Sequence, residues 1–124
     1  MAASNKAQAV YEFWSGFTWP AYDENTVPDD AQLPYITFEA GTSGFNDAPL
    51  GLTASLWARS MSWSSAEEKA AEIAAHLGEG GSIVRYPSGA LWVKRGSPWS
   101  QRLQEPDDDS LRRIVLNIEA EYLS

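Results

Sequence analysis

The chain has 124 residues, 44% hydrophobic and 21% charged, the length and balance of one globular domain that removes roughly two-thirds of its unfolded surface from water. Cysteine is absent, which excludes disulfide staples, zinc–thiolate sites and thiol nucleophiles. Nine basic residues against seventeen acidic ones leave a net charge of −8, a balance that repels a phosphate backbone yet suits a surface past which DNA must slide without sticking. Met1-Ala2-Ala3-Ser4-Asn5-Lys6 has neither a basic start nor an apolar core, and no apolar run approaches spanning length, so no export signal or membrane segment is expected. Six tryptophans are more than a core of this size is expected to hold, and tryptophan is enriched at the anchor points of protein interfaces.

Ala7, Val10, Tyr11 and Trp14 recur at helical spacing and predict a helix from about Ala3 to Ser15, stopped at Gly16. From Phe17 to Gln32 the chain is polar and punctuated by Pro20 and Pro28, a long ordered loop with room for a short edge strand. Tyr35 to Glu39 and Leu50 to Arg59 alternate as strands. The intervening Gly41 to Pro49 is too long for a tight hairpin turn and reads as a projecting arm with Phe45 at its centre.

A second helix is expected to start at Ser64 or Ser65, each with a glutamate three residues on (Glu67, Glu68) in capping-box spacing. Its apolar stripe is Ala66, Ala70, Ile73, Ala74 and Leu77, with Gly78 as the stop. Ser82 to Tyr86 and Ala90 to Arg95 flank Pro87-Ser88-Gly89 as a hairpin, and Gly96 to Asp109 reads as another long connection. Arg113 to Leu123 alternates as a final strand, with Ile114, Leu116, Ile118, Ala120 and Tyr122 facing the core. The order is α-β-β-α-β-β-β in one domain spanning 1–124. The fold class is α+β: a mostly antiparallel sheet of about five strands with two helices on one face. A right-handed crossover from Leu50–Arg59 through the second helix to Ser82–Tyr86 would make the sheet mixed.

Candidate chemistry is sparse. His76 is the single histidine and sits beside the apolar stripe near a helix C-terminus, where a structural or surface role is the ordinary one. Asp107, Asp108 and Asp109 crowd one turn, but the ligand and glycine spacing of a calcium loop is missing. Gly78, Gly80 and Gly81 follow a helix instead of preceding one, the wrong polarity for a phosphate cradle. No catalytic, metal or cofactor-binding residue is therefore assigned. Trp19, Tyr22, Trp57, Trp63, Trp92 and Trp99 are spread widely enough to form a sugar platform. The plainer reading puts Trp14 and Trp92 on core faces and buries others against partner subunits.

Three stretches together carry a resemblance: Pro20-Ala21-Tyr22 with Val27-Pro28 and Leu33-Pro34-Tyr35-Ile36-Thr37; Leu56-Trp57-Ala58-Arg59-Ser60 leading into the second helix; and Gly89 through Pro98-Trp99 to Arg112-Arg113-Ile114-Val115-Leu116-Asn117-Ile118-Glu119-Ala120-Glu121-Tyr122-Leu123. The pattern, from about Tyr11 onward, resembles the small tail-terminator (tail-completion, or minor capsid) proteins of long-tailed bacteriophages and prophages. The resemblance implies a subunit without enzymatic chemistry or cofactor that closes into a sixfold ring at the head-proximal end of the tail tube. Its implied partners are copies of itself, the tail tube protein and the head-completion or stopper protein. DNA would pass through the lumen, and the ring would assemble in the host bacterial cytoplasm from subunits that can be monomeric alone.

On this reading the inter-subunit candidates are Phe45, Trp57, Trp63, Trp99, Arg102, Arg112 and Arg113. The arginines qualify because a planar guanidinium pairs bidentately with a neighbour's carboxylates. A carbohydrate-binding module on exposed tryptophans, another head–tail connector, and a small hydrolase around His76 are the competing expectations.

Overall fold

The computed structural model describes residues 5–42, 44 and 47–123. Phe45, expected at the centre of the projecting arm, lies outside them. Six strands form one sheet in the order β1-β2-β3-β6-β5-β4: β1 Ala21–Asp23, β2 Tyr35–Phe38, β3 Leu50–Arg59, β4 Ser82–Tyr86, β5 Gly89–Gln104 and β6 Leu111–Tyr122. Helix α1 is Ala9–Trp14 and helix α2 is Ser64–Leu77. The α+β class and the mostly antiparallel sheet match the sequence reading. The sixth strand is β1, which falls inside the loop between Phe17 and Gln32.

The core follows from alternation. Leu52, Ala54, Leu56 and Ala58 of β3, Ile114, Leu116, Ile118, Ala120 and Tyr122 of β6, and Leu91 and Val93 of β5 are all buried. They meet Ala66, Ala70, Ile73 and Leu77 of α2 and Val10, Phe13 and Trp14 of α1. Full burial of one such aliphatic side chain is worth about 1.5–3 kcal/mol. Tyr122 donates its hydroxyl to the Gly41 carbonyl at 2.6 Å. Burial, with a smaller contribution from Tyr86, pushes its phenol up to about 12.

Helix α1 packs against both β1–β2 and β4–β5. Six strands at about 4.8 Å spacing span roughly 24 Å, whereas a six-residue helix is about 9 Å long. One short helix reaches both ends of the sheet because the sheet curls around it.

Several local expectations need correction. The first helix is broken into a 3-10 turn Lys6–Gln8, α1, and a second 3-10 turn Ser15–Phe17. Gly16 is not the stop; the left-handed residue is Thr18, with φ 67°. No side chain caps α2 as Ser64 or Ser65 would: Trp63 occupies the cap position, and Ser62 Oγ accepts from Ser64 N at 3.1 Å. The crossover is not parallel either. β3 and β4 sit apart in the sheet and run in opposite directions, and the mixed character comes from β1 pairing parallel to β2.

The largest difference is β5. Gly96 to Gln104 is strand, not connection: after Arg95↔Ile118 the ladder shifts and resumes at Ser100↔Leu116. The bulge is accommodated at Gly96, where a Cβ would fall 2.9 Å from the backbone of Asn117, and Asn117 Nδ2 donates to Pro98 O at 2.9 Å. Bulges of this kind bend a strand and re-aim its side chains.

Lys69 is buried and ties the strained turn to α2. Its Nζ donates to Phe17 O at 2.9 Å and Thr18 Oγ1 at 3.2 Å, pairs with Glu72 at 2.8 Å, and lies 5.5 Å from the centre of the Trp19 ring. Lys69→Met is expected to lower stability by about 1.5–3 kcal/mol, the usual worth of a hydrogen bond to a charged group, although the Phe17 carbonyl keeps the Trp19 N–H as a donor at 2.8 Å. The loss would appear as a lower midpoint in urea unfolding, with the slope unchanged.

Candidate assembly surface

Five of the seven residues singled out from sequence converge at one end of the sheet, where β3 and β5 finish and β6 and α2 begin. They form two clusters on opposite faces. On the helix face Trp63 is packed against the core, with the guanidinium of Arg102 4.9 Å and that of Arg112 5.3 Å from its ring centre. Arg102 Nε pairs with Glu67 at 2.8 Å. Arg112 donates to Asp109 O at 2.6 Å and Met61 O at 3.0 Å, while its Nε is buried without a hydrogen-bond partner among the described residues.

On the opposite face Arg113 lies 4.7 Å from the Trp57 ring centre, donates to Ser55 Oγ at 3.0 Å, and pairs with Glu105 at 3.7 Å. Trp57 Nε1 donates to Thr37 Oγ1 at 2.9 Å. Trp99 stands apart at the β5 bulge, half-buried against the core, its indole nitrogen buried and without a partner among the described residues.

All six tryptophans are buried or half-buried within the single chain. Trp92 is not on the core face: it pairs with Glu121 on the opposite face, donates to Gly80 O at 2.8 Å and lies under Lys94 at 4.2 Å. The reason is register, because Leu91 and Val93 take the inward positions. Trp19, Trp57, Trp63 and Trp92 each carry a cation over the ring, a contact worth about 0.5–2 kcal/mol. These covered rings are poor platforms for sugar stacking.

What the end of the sheet does expose was not legible in the indole count. β4 covers β5 only from Gly89 to Val93, so among the described residues the outer edge of Ser100–Gln104 has no strand partner. Gln101, Arg102, Leu103 and Gln104 are all exposed, and Met61 beside Trp63 is 74% exposed. An uncovered edge with methionine, tryptophan and arginine around it is the composition that marks interface cores. The signal in sequence was Arg102-Leu103-Gln104 continuing the alternation of Ser100, but the two prolines nearby hid it.

His76 is exposed, on the rim of a groove between α1 and β4, with Ser82 Oγ 3.2 Å from Nε2 and Phe17 edge-on. Among the described residues no carboxylate bonds the imidazole, so nothing here completes a relay of the kind nucleophilic catalysis needs. No cluster of three histidine, aspartate or glutamate side chains able to hold a metal occurs among the described residues, and no helix is long and apolar enough to cross a membrane.

No known protein family matches the sequence, and no curated protein is similar to it. Among solved structures, the fold is similar to that of a chain in the virion of a native gene transfer agent particle. The TM-score is 0.60 at 20% identity, covering 94% of this chain and 93% of that one. At that identity the likeness is one of fold.

The turn that follows β5 is held by Asp108, which accepts from the Ser110 hydroxyl at 2.7 Å, from Arg59 at 2.9 Å and from Ser110 N at 2.9 Å. Those contacts, the Ser110 hydroxyl foremost, lower its carboxyl from an ordinary 3.8 to about 2. A folded-state value below the unfolded one contributes stability that is present above the unfolded pKa and is lost as pH falls through the folded one. Carboxyl NMR is therefore expected to show Asp108 ionised at pH 3, with its turn loosening only as pH approaches 2. In Ser110→Ala the midpoint is expected to move back toward the ordinary value.

Proposed function

We propose that this chain is a structural virion protein of the tail-terminator type. Copies form a sixfold ring on the head-proximal end of a tail tube, end tube growth and join the tail to head-completion proteins. The observation that carries the reading is the end-to-end likeness of fold to a virion chain. It stands beside the resemblance of the sequence, from about Tyr11 onward, to tail-terminator proteins.

Two further features support it. The sheet end offers an uncovered strand edge with Met61, Leu103 and Arg102 beside it, suited to gripping a neighbour by strand addition. The net charge of −8 suits a lumen through which DNA passes without adhering.

The test is a mass measurement of the purified protein, alone and with tubes of the tail protein encoded beside it, combined with particle imaging. Six copies per tube and one capped end are expected, with the free protein monomeric or hexameric. Tubes that stay bare and keep growing in its presence would sink the reading. Met61→Asp with Leu103→Asp is expected to cut tube capping at least tenfold. Because surface changes cost about 0.5 kcal/mol or less, its melting temperature should stay within a few degrees of the parent.

A further inference from the structure

The chain has nine cations, and the structure engages seven of them internally. Lys6, Lys69, Lys94, Arg102, Arg112 and Arg113 lie over aromatic rings. Arg59 pairs with Asp108 at 2.9 Å. Arg85 and Arg95 are exposed and have neither an ion-pair nor a ring partner among the described residues. Nothing in the fold requires them to be charged.

They bracket the edge strand from opposite faces of the sheet: Arg85 lies on the face of Ala90 and Trp92, away from the core, and Arg95 on the face of Val93 and Ile118. Arg85 is on β4 itself, and Arg95 is on β5 two residues beyond Val93, where β4 ends opposite Ser82. Between them, residues Ser82 to Arg85 form one wall of a groove of about 390 Å³. Glu12, Phe13, Gly16 and Phe17 form the facing wall. Ile83 is 45% exposed and shares the outward face of β4 with Arg85, so the edge next to that arginine is apolar. A Cβ at Gly16 would meet nothing within 4 Å, so the groove is open there.

β1 is the strand at the other end of the sheet, and it leads into an acidic segment. Asp23, Glu24, Asp29 and Asp30 form no ion pair among the described residues, and Glu24, Asp29 and Asp30 are exposed. Val27 and Pro28 lie between them as the apolar part of the same surface. One copy thus carries two arginines without ion pairs at one edge of the sheet and a run of carboxylates without ion pairs beyond the other, among the described residues. Neither surface can satisfy the other within the same molecule, because α1 fills the space between the two edges.

We infer that the Asp23–Asp30 segment of a second copy docks on the Arg85–Ile83–Arg95 edge of β4, joining successive copies through two different surfaces. The inference rests on the ring reading above and names its contact. Contacts of this head-to-tail kind close into a ring when the rotation per copy divides a full turn. Complementary charge sets partner orientation and association rate more than affinity, so the contact would be salt-sensitive and would need Ile83 against Val27 and Pro28 for residence time.

The absence of cysteine makes the test direct. Copies carrying Arg85→Cys and copies carrying Asp29→Cys are mixed on tubes and oxidised. Cross-linked dimers are expected from the mixture, and not from either variant alone. Cross-linking of Arg85→Cys with itself would indicate a two-fold contact instead and overturn the proposal. In parallel, Arg85→Glu with Arg95→Glu is expected to reduce ring formation at least tenfold, and Asp29→Lys with Asp30→Lys likewise. Combining all four changes in one chain is expected to restore it to within about threefold.

Rings that form undiminished with the arginines reversed would discard this contact and leave the ring reading standing. Acidic-segment variants that assemble normally while the arginine variants do not would point to a different acidic partner at β4, and would also discard the second-copy contact. A parent chain that never assembles removes both readings.

Discussion

β6 is hydrogen-bonded along its length on both sides, and everything else in the molecule is arranged around that pairing. Ten residues of β3 and two runs of five in β5 register against it. Its inward residues Ile114, Leu116, Ile118, Ala120 and Tyr122 are the floor on which α2 lies. Since side chains alternate strictly along a strand, burying one face of β6 sets the inward faces of both neighbours, and a one-residue slip would turn all three out. The bulge at Gly96–Trp99 is the one place where the ladder yields. It shifts β5 by an odd number of residues against β6, and so determines that Arg102 faces α2 while Leu103 faces the opposite side.

Charge is organised by the same geometry. Cations placed over Trp57, Trp63 and Trp92 cover the polarisable faces of half-buried indoles and keep their own charge in water. The positive charge of an acidic protein is thereby concentrated on its aromatic residues, and much of the remaining surface is carboxylate. That distribution leaves Arg85 and Arg95 without an ion-pair or ring partner among the described residues beside β4.

The functional reading follows from these constraints taken together. Among the described residues the edges of Ser100–Gln104 and β4 have no strand partner, and Met61 and Leu103 are exposed; the proposed assembly role draws on these features. Four of the six indoles, those of Trp19, Trp57, Trp63 and Trp92, pack within the chain under arginine or lysine lids. The surface left for a partner is backbone edge and a few aliphatic side chains.

Read alone, the residues determined whatever depends on local periodicity. The stripe of Ala66, Ala70, Ile73 and Leu77 required a helix buried on one side, and the alternations in β3 and β6 required strands with one wet face, because side-chain direction repeats every 3.6 or every 2 residues regardless of context. Only the tertiary structure decided what depends on distant partners. The parallel pairing of three-residue β1 with β2, the continuation of β5 past Pro98, the place of β4 at the far edge and the outward turn of Trp92 each rest on a register with residues tens of positions away. No local pattern encodes a register of that range. The pairing of Arg102, Arg112 and Arg113 with their rings likewise joins residues far apart in the chain, which the registers of β3, β5 and β6 bring to one end of the sheet.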